Sequence, residues 1–274
     1  MPSYAILGAT GQIGGNILTV LLAKQPPVEI HCFVRTKAKL LKAHPDLASA
    51  SNVTIYEAGL DDTAALAQCI KDTRAVFLTA AASENVPGCE VAQQQTRAII
   101  AALKNLLPSS QANEKAPAIP KLVVISSASV TPRLFGASAP WIMQRMVHLA
   151  FYHIYTDLEK AEAVMRAESH WIPQVYVKPG GLTHDAAHGH VLASELKPGF
   201  LSFVDLAGAM VEVAGDDGGV EGVEGKWRWD GVDVTVNPAR EGTRVEPWLP
   251  YIVPKGLLWT FAPWLYPYLG SWLP

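Results

Sequence analysis

Ser3-Tyr-Ala-Ile-Leu-Gly-Ala-Thr-Gly-Gln-Ile-Gly-Gly15 is the stretch on which the reading of this chain turns. Tyr4 to Leu7 form a short apolar run suited to a first buried strand, and the apolar run from Ile13 to Ala23 predicts a helix. Between them Gly8, Gly11 and Gly14 stand at intervals of three. Gly8 permits a tight turn, Gly11 lets a ligand approach the backbone, and Gly14 lets the helix pack on the strand. Strand, turn and helix start gather main-chain N–H groups and a positive helix end at one point, which suits a pyrophosphate. A purely structural turn is the competing reading, but the flanking strand and helix favour a dinucleotide site.

The alternation continues outward. Strands are expected near 3–8, 28–34, 53–57, 75–80, 121–126 and 172–178, and helices near 13–24, 37–43, 61–71, 87–107 and 140–168. Near-continuous apolar runs such as Lys121-Leu-Val-Val-Ile-Ser126 suit parallel strands covered on both faces. The prediction is an α/β fold with a doubly wound, mostly parallel sheet. Residues 1–180 would form its nucleotide domain, and 181–274 a small substrate lobe integrated with it, by fold analogy. Residues 108–120 read as a surface loop, and beyond about 180 the pattern loosens into glycine-rich turns such as Gly215-Asp-Asp-Gly-Gly219.

The end of the chain, Gly256 to Pro274, carries Trp259, Phe261, Trp264, Tyr266, Tyr268 and Trp272 with almost no charge. It is short for a bilayer span, and Pro263 and Pro267 interrupt it. Packing over the domain or a second subunit is expected. Contact with a membrane interface through its amphipathic aromatics is the alternative.

Of 274 residues, 49% are hydrophobic and 17% charged, enough for a large core. A net charge of −3 gives no reason to expect a nucleic-acid partner. Cys32, Cys69 and Cys89 show neither metal-ligand nor redox spacing, and a sparse, odd set fits a reducing compartment. The first strand begins almost at once and leaves no room for a leader, so a cytoplasmic monomer or homodimer is expected.

The choice between NAD and NADP is made at the end of the second strand, where NAD proteins usually place a carboxylate. Here the chain reads His31-Cys-Phe-Val-Arg-Thr-Lys37, then Lys39. Arg35 can fork onto a 2′-phosphate and Lys37 adds a point charge, so NADP(H) is preferred. Solvated cations at a helix start are the other explanation.

Gly8-Ala-Thr-Gly-Gln-Ile-Gly14, Val34-Arg-Thr36, Ser126-Ser-Ala-Ser129 and Lys178-Pro-Gly-Gly181 together resemble the atypical short-chain dehydrogenases, over nearly the full length. With Pro87-Gly-Cys89, Asp157-Leu158, Val177-Lys-Pro-Gly-Gly-Leu182 and His184-Asp185, the chain is similar to the NmrA-like branch and its averufin-oxidase-type proteins of fungal polyketide pathways. The resemblance implies an NADP-binding Rossmann fold acting on aromatic polyketides. It implies Gly8, Thr10, Gly11, Gln12 and Ile13 around the pyrophosphate, and Arg35 and Lys37 at the 2′-phosphate. Thr79, Ala80 and Ala81 would line the adenosine side, and Pro179 to Leu182, with Gly181 among them, the nicotinamide. Asp61 or Leu60 would approach the adenine.

Catalytic residues transfer less directly. The family uses a Tyr with a Lys four residues later, whose cation lowers the phenol pKa, plus a Ser after the fifth strand. Ser127 fits the Ser, although a strand-end hydroxyl often only satisfies local backbone. Tyr152 is followed at +4 by Thr156, and Tyr155 by Glu159, with Lys160 only at +5. Positions i and i+4 differ by about 40° around a helix, but i and i+5 by about 140°. Lys160 therefore should not stand beside Tyr155, and Glu159 should raise the phenol pKa.

Val147, Phe151, Ile154, Leu158, Ala161 and Met165 trace the apolar stripe, flanked by Tyr155 on one side and by His153, Asp157 and Lys160 on the other. Three readings stay open: Tyr155 with Ser127 as proton donor, His153 oriented by Asp157 as acid or base, or a helix without catalytic groups. His184-Asp185 with His188 and His190 reads as a polar loop near the substrate mouth, and no metal is expected. Trp141, Trp171, Phe200 and Phe203 are candidates to line an apolar pocket. The leading function is an NADP-dependent oxidoreductase for a bulky aromatic small molecule, with catalytic Ser127 and Tyr155. A non-redox cyclase, dehydratase or isomerase and an NADP-sensing regulator are the alternatives.

Overall fold

The computed structural model describes residues 1–82, 84–107, 118–136, 140–220, 223–240 and 249–270. Most of the loop expected at 108–120, and Trp272, lie outside them. Strands β1 (Ser3–Leu7), β2 (Glu29–Val34), β3 (Val53–Glu57), β4 (Ala75–Leu78), β5 (Lys121–Ile125) and β6 (Gln174–Pro179) fall where the apolar runs put them. Between them lie α1 (Gln12–Leu22), α2 (Lys37–Ala43), α3 (Thr63–Ile70), α4 (Val91–Leu106), α5 (Pro132–Gly136), α6 (Trp141–Ala150) and α7 (Tyr152–Ala167).

The region past residue 180 is more regular than its sequence pattern. It forms β7 (Gly181–Thr183), β8 (His190–Ala193), β9 (Phe200–Ser202), α8 (Phe203–Gly215), β10 (Gly219–Val220), β11 (Val223–Trp227) and β12 (Asp233–Pro238), then α9 (Leu249–Phe261) and α10 (Tyr266–Leu269). The central sheet runs β3-β2-β1-β4-β5-β6-β12-β8. All neighbours are parallel except β8, which runs antiparallel to β12. The strand order reverses direction between β1 and β4, and doubly wound sheets bind their ligands at such a point, outside the carboxyl ends of the strands.

Side chains alternate across the sheet. Tyr4 and Ile6 join one core with Ile17 and Leu21 of α1 and Leu206 and Met210 of α8. Ala5 and Leu7 join the other with Leu66 of α3, Ile99 and Leu103 of α4, and Met165 of α7. Trp171 packs on this second core and donates to Glu168, so it is a structural residue rather than a pocket wall.

The single helix expected over 140–168 is instead two, α6 and α7, which meet at Phe151 with φ −118° and ψ 24°. The break lets α6 pack on α9 while α7 packs on α4. A Cβ at Gly256 of α9 would run into the Ala150 carbonyl, so the two helices touch backbone to backbone. Periodicity cannot reveal the break, because the apolar stripe passes through it. The tail thus packs on the domain: Trp259 is 1% exposed, while Phe261, Trp264 and Tyr268 lie at the surface. Among the described residues, no helix is long and apolar enough to cross a membrane.

Candidate active site

The glycine turn has the geometry of a phosphate cradle. Gly8 sits at φ +100°, a conformation that side-chain-bearing residues resist, and a Cβ there would meet Thr79 Oγ1 at 2.8 Å. A Cβ on Gly14 would run into the Gly8 carbonyl. Gly11 is different. It is exposed, and among the described residues beyond its chain neighbours only the Gly8 carbonyl oxygen lies within 4 Å of a Cβ there, so the described structure leaves room for a ligand in front of it. Gly11 caps α1 in an extended conformation, and helix geometry gives the N–H groups of Gln12 and Ile13 no carbonyl within the helix to bond. Thr10 and Ile13 are half-buried at the same turn. These residues fit a dinucleotide pyrophosphate.

Thr79 turns its hydroxyl to the Leu7 carbonyl at 2.8 Å and so braces the turn, while Ala80 is half-buried and Ala81 exposed beyond it. Arg35 and Lys37 are both exposed at the end of β2 and start of α2. A carboxylate does reach this place, from a neighbouring strand. Glu57, paired in register with Val34, accepts the Lys37 N–H at 2.7 Å. Asp61 is exposed beside Gly59, and Leu60 is half-buried. At the end of β6, Pro179 is buried and Gly181 exposed, with the Phe200 ring where a Cβ on Gly181 would stand.

Two adjacent serines leave β5 for different partners. Ser126 donates its hydroxyl to Glu162 of α7. Ser127 accepts the Ser129 N–H at 3.2 Å, and the hydroxyls of Ser127 and Ser129 lie near enough to the Tyr155 phenol to act on its proton. Burial pushes the Tyr155 pKa up, and the two serines oppose this only in part. Glu159, expected to raise it, is not the cause. It is exposed and lies 3.8 Å from His148, whose ring is 5.7 Å from that of Tyr155. Lys160 is exposed.

The pairing of His153 with Asp157 is not formed. Asp157 is 2% exposed and accepts the N–H groups of Ala92 and Gln93 at 2.8 and 3.1 Å, at the first turn of α4. His153 instead bonds the Trp259 carbonyl at 3.2 Å. His184 lies against Phe203 at 4.8 Å between ring centres, while Asp205 accepts the N–H groups of His188 and Gly189. Among the described residues, no three metal-ligating side chains gather.

Sequence reasoning missed Lys178. It is 1% exposed, and its Nζ donates to Glu162 Oε1 and Oε2 at 2.7 and 2.9 Å and to Thr131 Oγ1 at 2.7 Å. The usable signal was a lysine inside the otherwise apolar run Val175-Tyr-Val-Lys178, since a buried lysine needs a charged partner.

Comparison with known proteins agrees with this fold. A family model described as NAD(P)H-binding matches residues 8–217. The chain is 41% identical to the oxidoreductase aflX of Aspergillus parasiticus, covering 99% of this chain and 96% of that protein. It is 39% identical to the oxidoreductase stcQ of Emericella nidulans, with the same coverage. A short-chain dehydrogenase/reductase from Veillonella parvula superposes with a TM-score of 0.63 over 87% of this chain and 94% of its own, at 15% identity. A wide-type relative from the same organism, solved in complex with NADP, gives 0.58 over 89% and 97%, at 16% identity. The chain therefore belongs to the NAD(P)H-binding Rossmann family and, within it, to the fungal oxidoreductases.

Proposed function

We propose that this protein is an NADP(H)-dependent oxidoreductase acting at a carbonyl or quinone-like carbon of a bulky, polyketide-type aromatic molecule. The observation that supports this reading is the Tyr155 phenol, set beside Ser127 and Ser129 just past the carboxyl end of β5. That is the same edge of the parallel sheet as the glycine cradle. A bound nicotinamide supplies the hydride. Gly8, Thr10, Gly11, Gln12 and Ile13 would hold the pyrophosphate, Thr79, Ala80 and Ala81 the adenosine side, and Pro179 and Gly181 the nicotinamide. Arg35 and Lys37 favour a 2′-phosphate, since Glu57 is already engaged by a main-chain N–H.

Tyr155 donates its proton to the substrate oxygen as the carbon accepts hydride, and Ser127 hydrogen-bonds the same oxygen. Carbonyl, hydride and proton together make an alcohol, after which solvent returns a proton to the phenolate. Burial keeps the phenol protonated, the form that reduction needs as proton donor. Phe200 beside Gly181 and Phe203 beside His184 supply apolar surface for an aromatic substrate.

Incubation with NADPH and an anthraquinone or a xanthone, followed at the reduced-nicotinamide absorbance band and by product mass, tests the reading. NADPH consumption with gain of two hydrogens supports it. Loss of water or isomerisation without consumption replaces it with non-redox chemistry, and NADPH binding with neither points to sensing.

A further inference from the structure

We propose that Lys178 is the positioning residue of this site: it clamps the end of β5, the turn after it and helix α7 into the arrangement that brings Tyr155 to Ser127. The inference rests on the reading of Tyr155 as proton donor. Lys178 has three N–H bonds to give and directs them at acceptors on two different elements, Glu162 of α7 and Thr131. Thr131 closes the short turn Ala128–Val130, which carries Ser129, and its N–H bonds the Ala128 carbonyl at 3.0 Å. Glu162 accepts the Ser126 hydroxyl, and the Ser126 N–H bonds the Val177 carbonyl at 2.9 Å, next to Lys178 itself.

Glu162 stands seven residues beyond Tyr155, so the two leave α7 within about 20° of each other and about 10 Å apart along the axis. Fixing one fixes the other. Because α7 is severed from α6 at Phe151, its rotation depends on such anchors. The cluster is balanced: Arg166 reaches Glu162 at 3.2 Å and Asp233 at 2.5 Å, and Lys178 lies 3.7 Å from Asp233, two cations against two carboxylates. Apolar side chains of similar volume often stabilise a core as well as a buried ion pair does. What they cannot do is direct bonds at defined points on separate elements.

The test uses full-length protein carrying tyrosine labelled with carbon-13 at Cζ, with the Tyr155 signal assigned by its loss in Tyr155→Phe. Lys178→Met should lower the thermal midpoint, because it strands Glu162. Lys178→Met/Glu162→Gln should recover most of that loss, leaving Arg166 paired with Asp233. In both variants the Tyr155 signal should move toward those of Tyr251 and Tyr268, which are 77% and 73% exposed. Thr131→Val, which strands no charge, should give a smaller shift in the same direction. NADPH affinity should stay within about twofold, and turnover of the anthraquinone should fall at least about tenfold in kcat with KM little changed. A Tyr155 signal that does not move in the folded double variant overturns the proposal. A signal that moves while turnover holds refutes Tyr155 as proton donor and leaves the clamp standing.

Discussion

Tyr155 is half-buried, with the hydroxyls of Ser127 and Ser129 near its oxygen and no lysine four residues on. Tyr155→Phe and Ser127→Ala should each lower kcat by about 10²-fold if the pair handles the proton. The working form is the neutral phenol, and its pKa lies above the usual value of about 10, so NADPH-driven turnover should not lose this donor until the pH passes 10. A kcat profile that falls with a midpoint near neutrality would assign the proton to another group. Arg35→Ala should weaken NADPH binding about tenfold or more while leaving NADH nearly unchanged, measured by titration of each. The position of Ser127, just past β5, was legible from the predicted strand. Glu57 was not, because strand pairing, rather than chain order, carries it to Lys37.

Strands such as β1, β4 and β5 could be read directly because a strand covered on both faces is apolar at nearly every position, whatever its neighbours. Helix α7 shows where that ends. Its apolar stripe was visible, but Asp157 looked like a flanking polar residue and is in fact a buried acceptor for the start of α4. Nothing local in the sequence distinguishes the two. Asp157→Ala should cost about 1–2 kcal/mol in urea unfolding, as loss of a helix-start acceptor does. It should leave the Kd for NADPH nearly unchanged. A loss of turnover at full stability would instead revive a catalytic role for Asp157.

Across the molecule, the division at about residue 180 marks a change in sequence texture more than a change in architecture. Short strands and the Gly- and Ala-rich α8 give weak periodic signals, yet β12 and β8 extend the main sheet and α8 packs on α1. The aromatic tail likewise contributes to the core through Trp259, so Trp259→Ala should cost about 3–5 kcal/mol by denaturant melt. A variant as stable as the parent would show that α9 is dispensable cover.

The insertion of β12 between β6 and β8 also sets an order of events during synthesis. Until residue 233 has left the ribosome, β6 remains a raw border with unpaired main-chain groups, a template for unwanted association. Asp233 is the first residue of the strand that seals this border, and it arrives last at the four-charge cluster. Without β12 in place the cluster beside Ser126 holds one cation too many, so sealing the sheet and balancing these charges fall to the same strand.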